Sequence, residues 1–228
     1  MSAPATALLT FRIGPVHAFI AQARRVADLW TGSEVLSRLI AEAIQVVLSA
    51  PGCQMVFPHV GGAGAAELPR GLPNRFVARV PADRGEEIAS RMHTAVRERW
   101  DRLVEEAVAL LRSYEMVIDA RIWSDGTSGQ ARQTDHVLEV SWSLLEERDG
   151  YAASSLEGAR CFAAARRFRP FVQIEELGEK CAICGERTAL PNGDRPVVRS
   201  AWVRAEALSK ERRSEDRAFF RLDQTRLC

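Results

Sequence analysis

The chain of 228 residues has no apolar run approaching the ~20 residues that a membrane-spanning helix needs. Its opening residues, MSAPATALL, lack the basic region ahead of a long apolar core that marks a secretory signal. Neither sign of charge prevails: 31 Lys and Arg stand against 30 Asp and Glu, a net charge of +1. Bulk charge therefore points neither to a polyanion nor to a membrane surface, and local patches must carry any such role. Cysteine is scarce and odd in number, at five. Without an export signal, that favours reduced thiols and metal ligation over a disulfide framework. No internal repeat or low-complexity stretch is present. These absences place the chain in the cytoplasm and away from membranes, with the composition of an ordinary globular protein.

Residues 5–13, ATALLTFRI, read as a strand, with Leu9, Phe11 and Ile13 on one face. Gly14-Pro15 then opens a helix, Pro15 fitting a first turn where a missing N–H costs nothing. Phe19, Ile20, Ala23 and Val26 repeat at helical spacing. The spacing predicts a pause at Trp30–Ser33, with Ser33 capping a second segment that presents Leu36, Leu39, Ile40, Ala43, Ile44 and Val47. Pro51-Gly52 ends it. Residues 53–60 read as a strand, 61–74 as a Gly/Pro loop and 75–81 as a strand alternating on Phe76, Ala78 and Val80. Residues 85–113 carry the helical repeat Ile88, Met92, Val96, Trp100, Leu103, Ala107, Leu110. Residues 134–146 are the fourth strand.

The order strand, helix, strand, strand, helix, strand is the βαββαβ layout of an α+β, ferredoxin-like domain with two helices on one face. A small α+β domain of another topology has the same order. The texture changes near Gly150, so the expected domains are 1–150 and 151–228. The second begins with a basic helix over 154–171, then a C-x-x-C stretch, a turn region and a charged tail.

The strand-to-helix corner at Gly14-Pro15-Val16-His17 has the ingredients of a phosphate site. Glycine admits close approach, and the first N–H groups of a helix have no internal partner. Arg24 and Arg25 lie two turns on. The same corner serves equally as an ordinary tight connection. Gly32-Ser33 reads either as a plain helix break or as a second set of N–H groups brought toward the first.

The stretch F-x-I-G-P-V-x-x-F-I-x-x-A-R-x-x-x-D-L-W-x-G-S-x-x-L-S, from Phe11 to Ser37, resembles the first palm domain of the large subunit of type III CRISPR effector complexes, in the Cmr (type III-B) branch. One departure is His17, where the family usually has glutamine; its hydrogen-bonding pattern depends on the tautomer. The resemblance implies that Ile13, Gly14, Pro15, Val16, His17, Arg24, Gly32 and Ser33 line one wall of an ATP pocket. In that family two palms face each other. The second palm carries a Gly-Gly-Asp-Asp turn that holds divalent metals, and ATP is joined into cyclic oligoadenylates when the complex captures foreign RNA. The implied partners are the other subunits of the complex and, through them, guide RNA and target RNA.

Cys181 and Cys184, in KCAICGER, form half of a zinc knuckle. The composition leaves Cys53, Cys161, Cys228 and four histidines as candidates for the rest. Cys53 and Cys161 read as core residues, and His59, His93 and His136 are scattered singly. The resemblance implies that Cys228, in TRLC, is a third ligand of a structural Zn²⁺ site, with the fourth past the final residue. The chain thus reads as a piece of a longer polypeptide. Neither Gly-Gly-Asp-Asp nor His-Asp occurs in the sequence, so the resemblance implies a chain without the family's two catalytic centres, and no catalytic residue is assigned. A rival reading is a stand-alone, zinc-containing nucleic-acid-binding module. There Arg160, Arg166, Arg167 and Arg169 contact phosphates, while Phe162 and Phe168 stack on bases.

Overall fold

The computed structural model of the chain describes residues 5–21, 23, 26–60, 68–118, 134, 137–148, 150–165, 167, 178–182, 184–185, 187–191 and 195–211. It divides into two compact units, Met1–Asp101 with Leu138–Phe171, and Arg102–Val137 with Val172–Cys228. No helix of the described residues is long and apolar enough to cross a membrane.

The first unit is α+β. Its strands are β1 (Thr6–Gly14), β2 (Gln54–Phe57), β3 (Arg75–Pro81) and β4 (Glu139–Glu146). They form one antiparallel sheet in the order β2-β3-β1-β4. The helices are α1 (Val16–Ala21), α2 (Val26–Ser49), α3 (Gly85–Ser113, its part up to Asp101) and α4 (Tyr151–Ala165). β1 is central because its register matches both neighbours: Phe11 stands opposite Phe76 on one side and Trp142 on the other. The Phe11 and Phe76 rings stack with centroids 5.3 Å apart, both fully buried. Each large apolar side chain so buried contributes roughly 1.5–3 kcal/mol.

Period two assigns the sheet's two faces. Leu9, Phe11 and Ile13 pair with Ala78, Phe76 and Leu144-side residues on the face that meets α3, where a Cβ on Gly85 would come within 2.5 Å of Leu144. Alongside α3, α2 is tied by Arg99 to Glu42 at 3.8 Å. The other face carries Leu8, Arg12, Arg75 and Leu145, and α4 covers it: Gly158 lies against Leu145 and Phe162 against Arg75. Beyond the expected pair of helices, the sheet is therefore covered on its second face as well. The carboxylate of Glu147 pins the far end, accepting from Arg79 Nε at 2.7 Å, Arg79 Nη2 at 2.9 Å and Thr6 Oγ1 at 3.2 Å.

One expectation is corrected. There is no pause at Trp30–Ser33: α2 runs unbroken from Val26 to Ser49, so Gly32 and Ser33 are interior helical residues. The break lies upstream, between α1 and α2. Extending an existing helix adds a hydrogen bond for each residue fixed. That outweighs one interior glycine, which costs ~1 kcal/mol relative to alanine. The apolar stripe from Leu36 to Val47 is buried as its spacing predicts. A second correction concerns Cys161, which is exposed on α4, because the helix turns Ser154, Gly158 and Phe162 inward instead.

In the second unit, α3 ends in a Schellman turn. Met116 N–H donates to Leu111 C=O and Glu115 N–H to Arg112 C=O, at 3.2 and 3.0 Å. Glu115 holds the left-handed position, with φ 59°, that glycine usually takes. A helix missed from the sequence, α5 (Arg195–Glu211), packs Val198, Trp202 and Ala205 against Tyr114, Met116 and Ala189. The Trp202 indole N–H donates to the Leu190 carbonyl.

Candidate functional site

The corner after β1 is built from the strand outward. Ile13 is fully buried and anchors the corner in the core. Asn74 closes the strand end from the side: Ile13 N–H donates to the Asn74 carbonyl at 2.9 Å, and Asn74 Nδ2 donates to the Ile13 carbonyl at 3.0 Å. Gly14 is buried and pairs with Glu139 of β4. A Cβ placed on it would stand 3.9 Å from both the Arg12 guanidinium and the Glu139 carboxylate. A small side chain would therefore fit at ordinary contact distances, between two opposite charges. Pro15 and Val16 are half-buried and His17 is exposed at the start of α1.

Arg12 faces Arg75 across the β1–β3 ladder. Two like charges directly opposite repel. Here each is drawn aside, Arg12 toward Gly14 and Glu139, and Arg75 over the Phe162 ring at 5.6 Å. The arrangement gathers two guanidiniums and one carboxylate at the end of β1, and guanidiniums are chemistry suited to a phosphate group.

Of the residues singled out from the sequence, the structure brings together Ile13, Gly14, Pro15, Val16 and His17. Arg24 lies outside the described residues. Gly32 and Ser33 sit inside α2 and contribute no free helix-start N–H groups. Arg12, Asn74, Arg75 and Glu139 were missed. Arg12 could have been found from strand parity, since it points away from Phe11. The others reach the corner only through long-range pairing. Phe162 is buried under Arg75, so it is not a base-stacking platform. Arg160 and Arg167 are exposed, and Arg166, Phe168 and Arg169 lie outside the described residues.

The C-x-x-C stretch folds as a tight knuckle. Lys180 and Thr188 form a bridge, Cys181 N–H donates to the Arg187 carbonyl at 2.8 Å, and Gly185 N–H returns to the Cys181 carbonyl at 2.9 Å. Gly185 takes φ +70°, which the reversal needs. The Arg187 N–H points at Cys184 Sγ, 3.4 Å away. An N–H directed at sulfur stabilises a thiolate, so the two donors suit a soft tetrahedral cation. Among the described residues no third His, Cys, Asp or Glu joins them; Cys228 lies outside. Cys53, half-buried, is a poor ligand candidate: burial pushes its thiol pKa up, with Arg84 and Arg91 opposing.

Residues 8–105 match the family described as CRISPR-associated protein Cmr2, N-terminal. The chain is also similar to the CRISPR system Cmr subunit Cmr2 of Pyrococcus furiosus, with 25% identity over 257 residues. The alignment takes in 88% of this chain, which spans 30% of that relative's length.

Proposed function

We propose that the chain, whose residues 8–105 match the Cmr2 N-terminal family, serves in a type III-B CRISPR RNA-guided antiviral complex as one wall of an ATP pocket. In this reading the first unit is a ferredoxin-like palm, supported by the order β2-β3-β1-β4 of its βαββαβ elements. The observation that carries the pocket is the Arg12–Arg75 pair of guanidiniums at the end of the central strand, beside Gly14.

Each group has a task. Gly14 admits a phosphate oxygen to the backbone. Arg12 and Arg75 offset its charge, and Glu139 keeps Arg12 aligned. His17 offers a polar contact at the rim. A divalent metal bound with the nucleotide would supply activation of the attacking hydroxyl and neutralisation of the leaving pyrophosphate. The sequence has no Gly-Gly-Asp-Asp turn to hold that metal, so the wall alone does not join nucleotides. Partners in this reading are the other Cmr subunits, with guide and target RNA reached through them, in the cytoplasm. Cys181 and Cys184, with Cys228, hold a structural Zn²⁺ that ties the knuckle together.

Calorimetry of Mg²⁺–ATP with the full chain tests the pocket. Gly14→Val places γ-methyls against Arg12 and Glu139, and should lower affinity at least about tenfold. Gly14→Ala, whose Cβ meets only ordinary 3.9 Å contacts, should retain most of it. Equal affinity in the wild type and the valine variant, with folding confirmed by circular dichroism, overturns the placement.

A further inference from the structure

α5 turns Val198, Trp202 and Ala205 into the core of the second unit. Its outward face has a pattern of its own. Pro196, Ser200, Val203 and Ala207 recur at intervals of four, three and four residues, the alternation of a coiled-coil seam. They line one side of an open groove of about 560 Å³, all of whose described lining residues belong to α5. Arg195, Arg199 and Arg204 flank them. The Ser200 hydroxyl donates back to the Pro196 and Val197 carbonyls, at 2.9 and 3.0 Å, so it asks nothing of an occupant. Val203 is 54% exposed. Arg204 has one carboxylate near it, Glu115 at 3.9 Å, both side chains largely in solvent. Arg195 and Arg199 have no carboxylate partner among the described residues.

We infer that this face docks an acidic amphipathic helix of a partner protein. A floor of small side chains lets a second helix approach closely, and the 3-4 spacing sets its apolar residues into the seam. Guanidiniums beside the seam match carboxylates at the flanking positions of the incoming helix and repel a basic one. A second copy of this chain is a poor occupant, because it sets three arginines against three. A single-stranded nucleic acid finds no aromatic surface in the groove, since the tryptophan of this helix, Trp202, is buried. It would be held through phosphates alone, without the stacking such sites use. The inference is independent of the ATP pocket, which uses other residues in the other unit.

The test uses the full chain and two labelled synthetic helices, with a leucine seam at 3-4 spacing and either glutamates or lysines at the flanking positions. Fluorescence anisotropy should show binding of the glutamate peptide only. Arg195→Glu with Arg199→Glu should weaken it about tenfold or more and should gain binding of the lysine peptide. Circular dichroism reports that the variant remains folded. Equal binding of both peptides, binding of neither, or no exchange of preference in the variant overturns the inference. So does an oligouridylate that binds and is lost in the variant while the peptide never binds. Self-association abolished by Val203→Glu points to a second copy and overturns it as well.

Discussion

Replacing Glu147 by glutamine removes one charge from the pin that joins β3, β1 and β4. The wild-type carboxylate receives two hydrogen bonds from Arg79 and one from Thr6, and its side chain is only 12% exposed. Charge-assisted bonds of this kind are worth about 1.5–3 kcal/mol. Arg79 is one-third exposed, so water takes back part of that once the partner is gone. The expected loss is about 1.5 kcal/mol, or roughly tenfold faster opening of the sheet end. Hydrogen exchange of peptides from β3 and β4 reads it without requiring that the whole chain unfold in one step. The pH dependence gives a second check. The hydrogen bond from Arg79 holds the Glu147 carboxyl below its ordinary value of 4.5. Its contribution is therefore fully present above 4.5 and is lost as pH falls through the lowered folded value. The gap between wild type and variant should close over that acid range. Equal exchange at neutral pH, or a gap that persists into strong acid, refutes the assignment.

Glu115→Gly should stabilise the second unit. It relieves a left-handed backbone costing about 1 kcal/mol and gives up only a few tenths with Arg204; hydrogen exchange of peptides from α5 should slow. Ser37→Ala should cost about 1–2 kcal/mol, because its buried hydroxyl is the acceptor for the Leu72 N–H at 2.9 Å. Faster exchange at Leu72 is the readout. Iodoacetamide should label exposed Cys161 first and Cys53 slowly, since burial keeps the Cys53 thiol protonated. Cys181 and Cys184 should become reactive only after chelation; equal reactivity with and without chelator removes the metal role.

What could be read from the residues followed local periodicity. β1 and β3 declared themselves by alternation on Phe11 and Phe76, and α2 and α3 by their repeats, which are buried as expected through Leu36–Val47 and Ile88–Trp100, whereas further along α3 Ala107 is exposed and Val108 is buried instead. Gly14 drew notice because it stands where a strand hands over to a helix, although a tight connection alone accounts for a glycine there. Its neighbours did not: Arg75 and Glu139 arrive through ladder register, which no local window contains. The pause at Gly32-Ser33 was over-read, because a glycine weighs little inside a helix already under way. α5 was hidden by charge, although Val198, Trp202, Ala205 and Leu208 keep helical spacing. The knuckle was visible in Cys181 and Cys184, while the cover that α4 gives to the second sheet face was not, since beside Phe162 its inward positions are only Gly158 and Ser154.

β1 is made early and completed late. Its register pairs Ala7 with Glu146, so on the ribosome the strand emerges long before its outer neighbour exists. At roughly 5–20 residues per second, that leaves about 7–30 s during which the nascent strand has one side unzipped. An apolar, β-forming segment left open for so long is a natural client for chaperones that hold extended peptides. Slower translation upstream of β4 should raise misassembly, and faster delivery of that last strand should lower it.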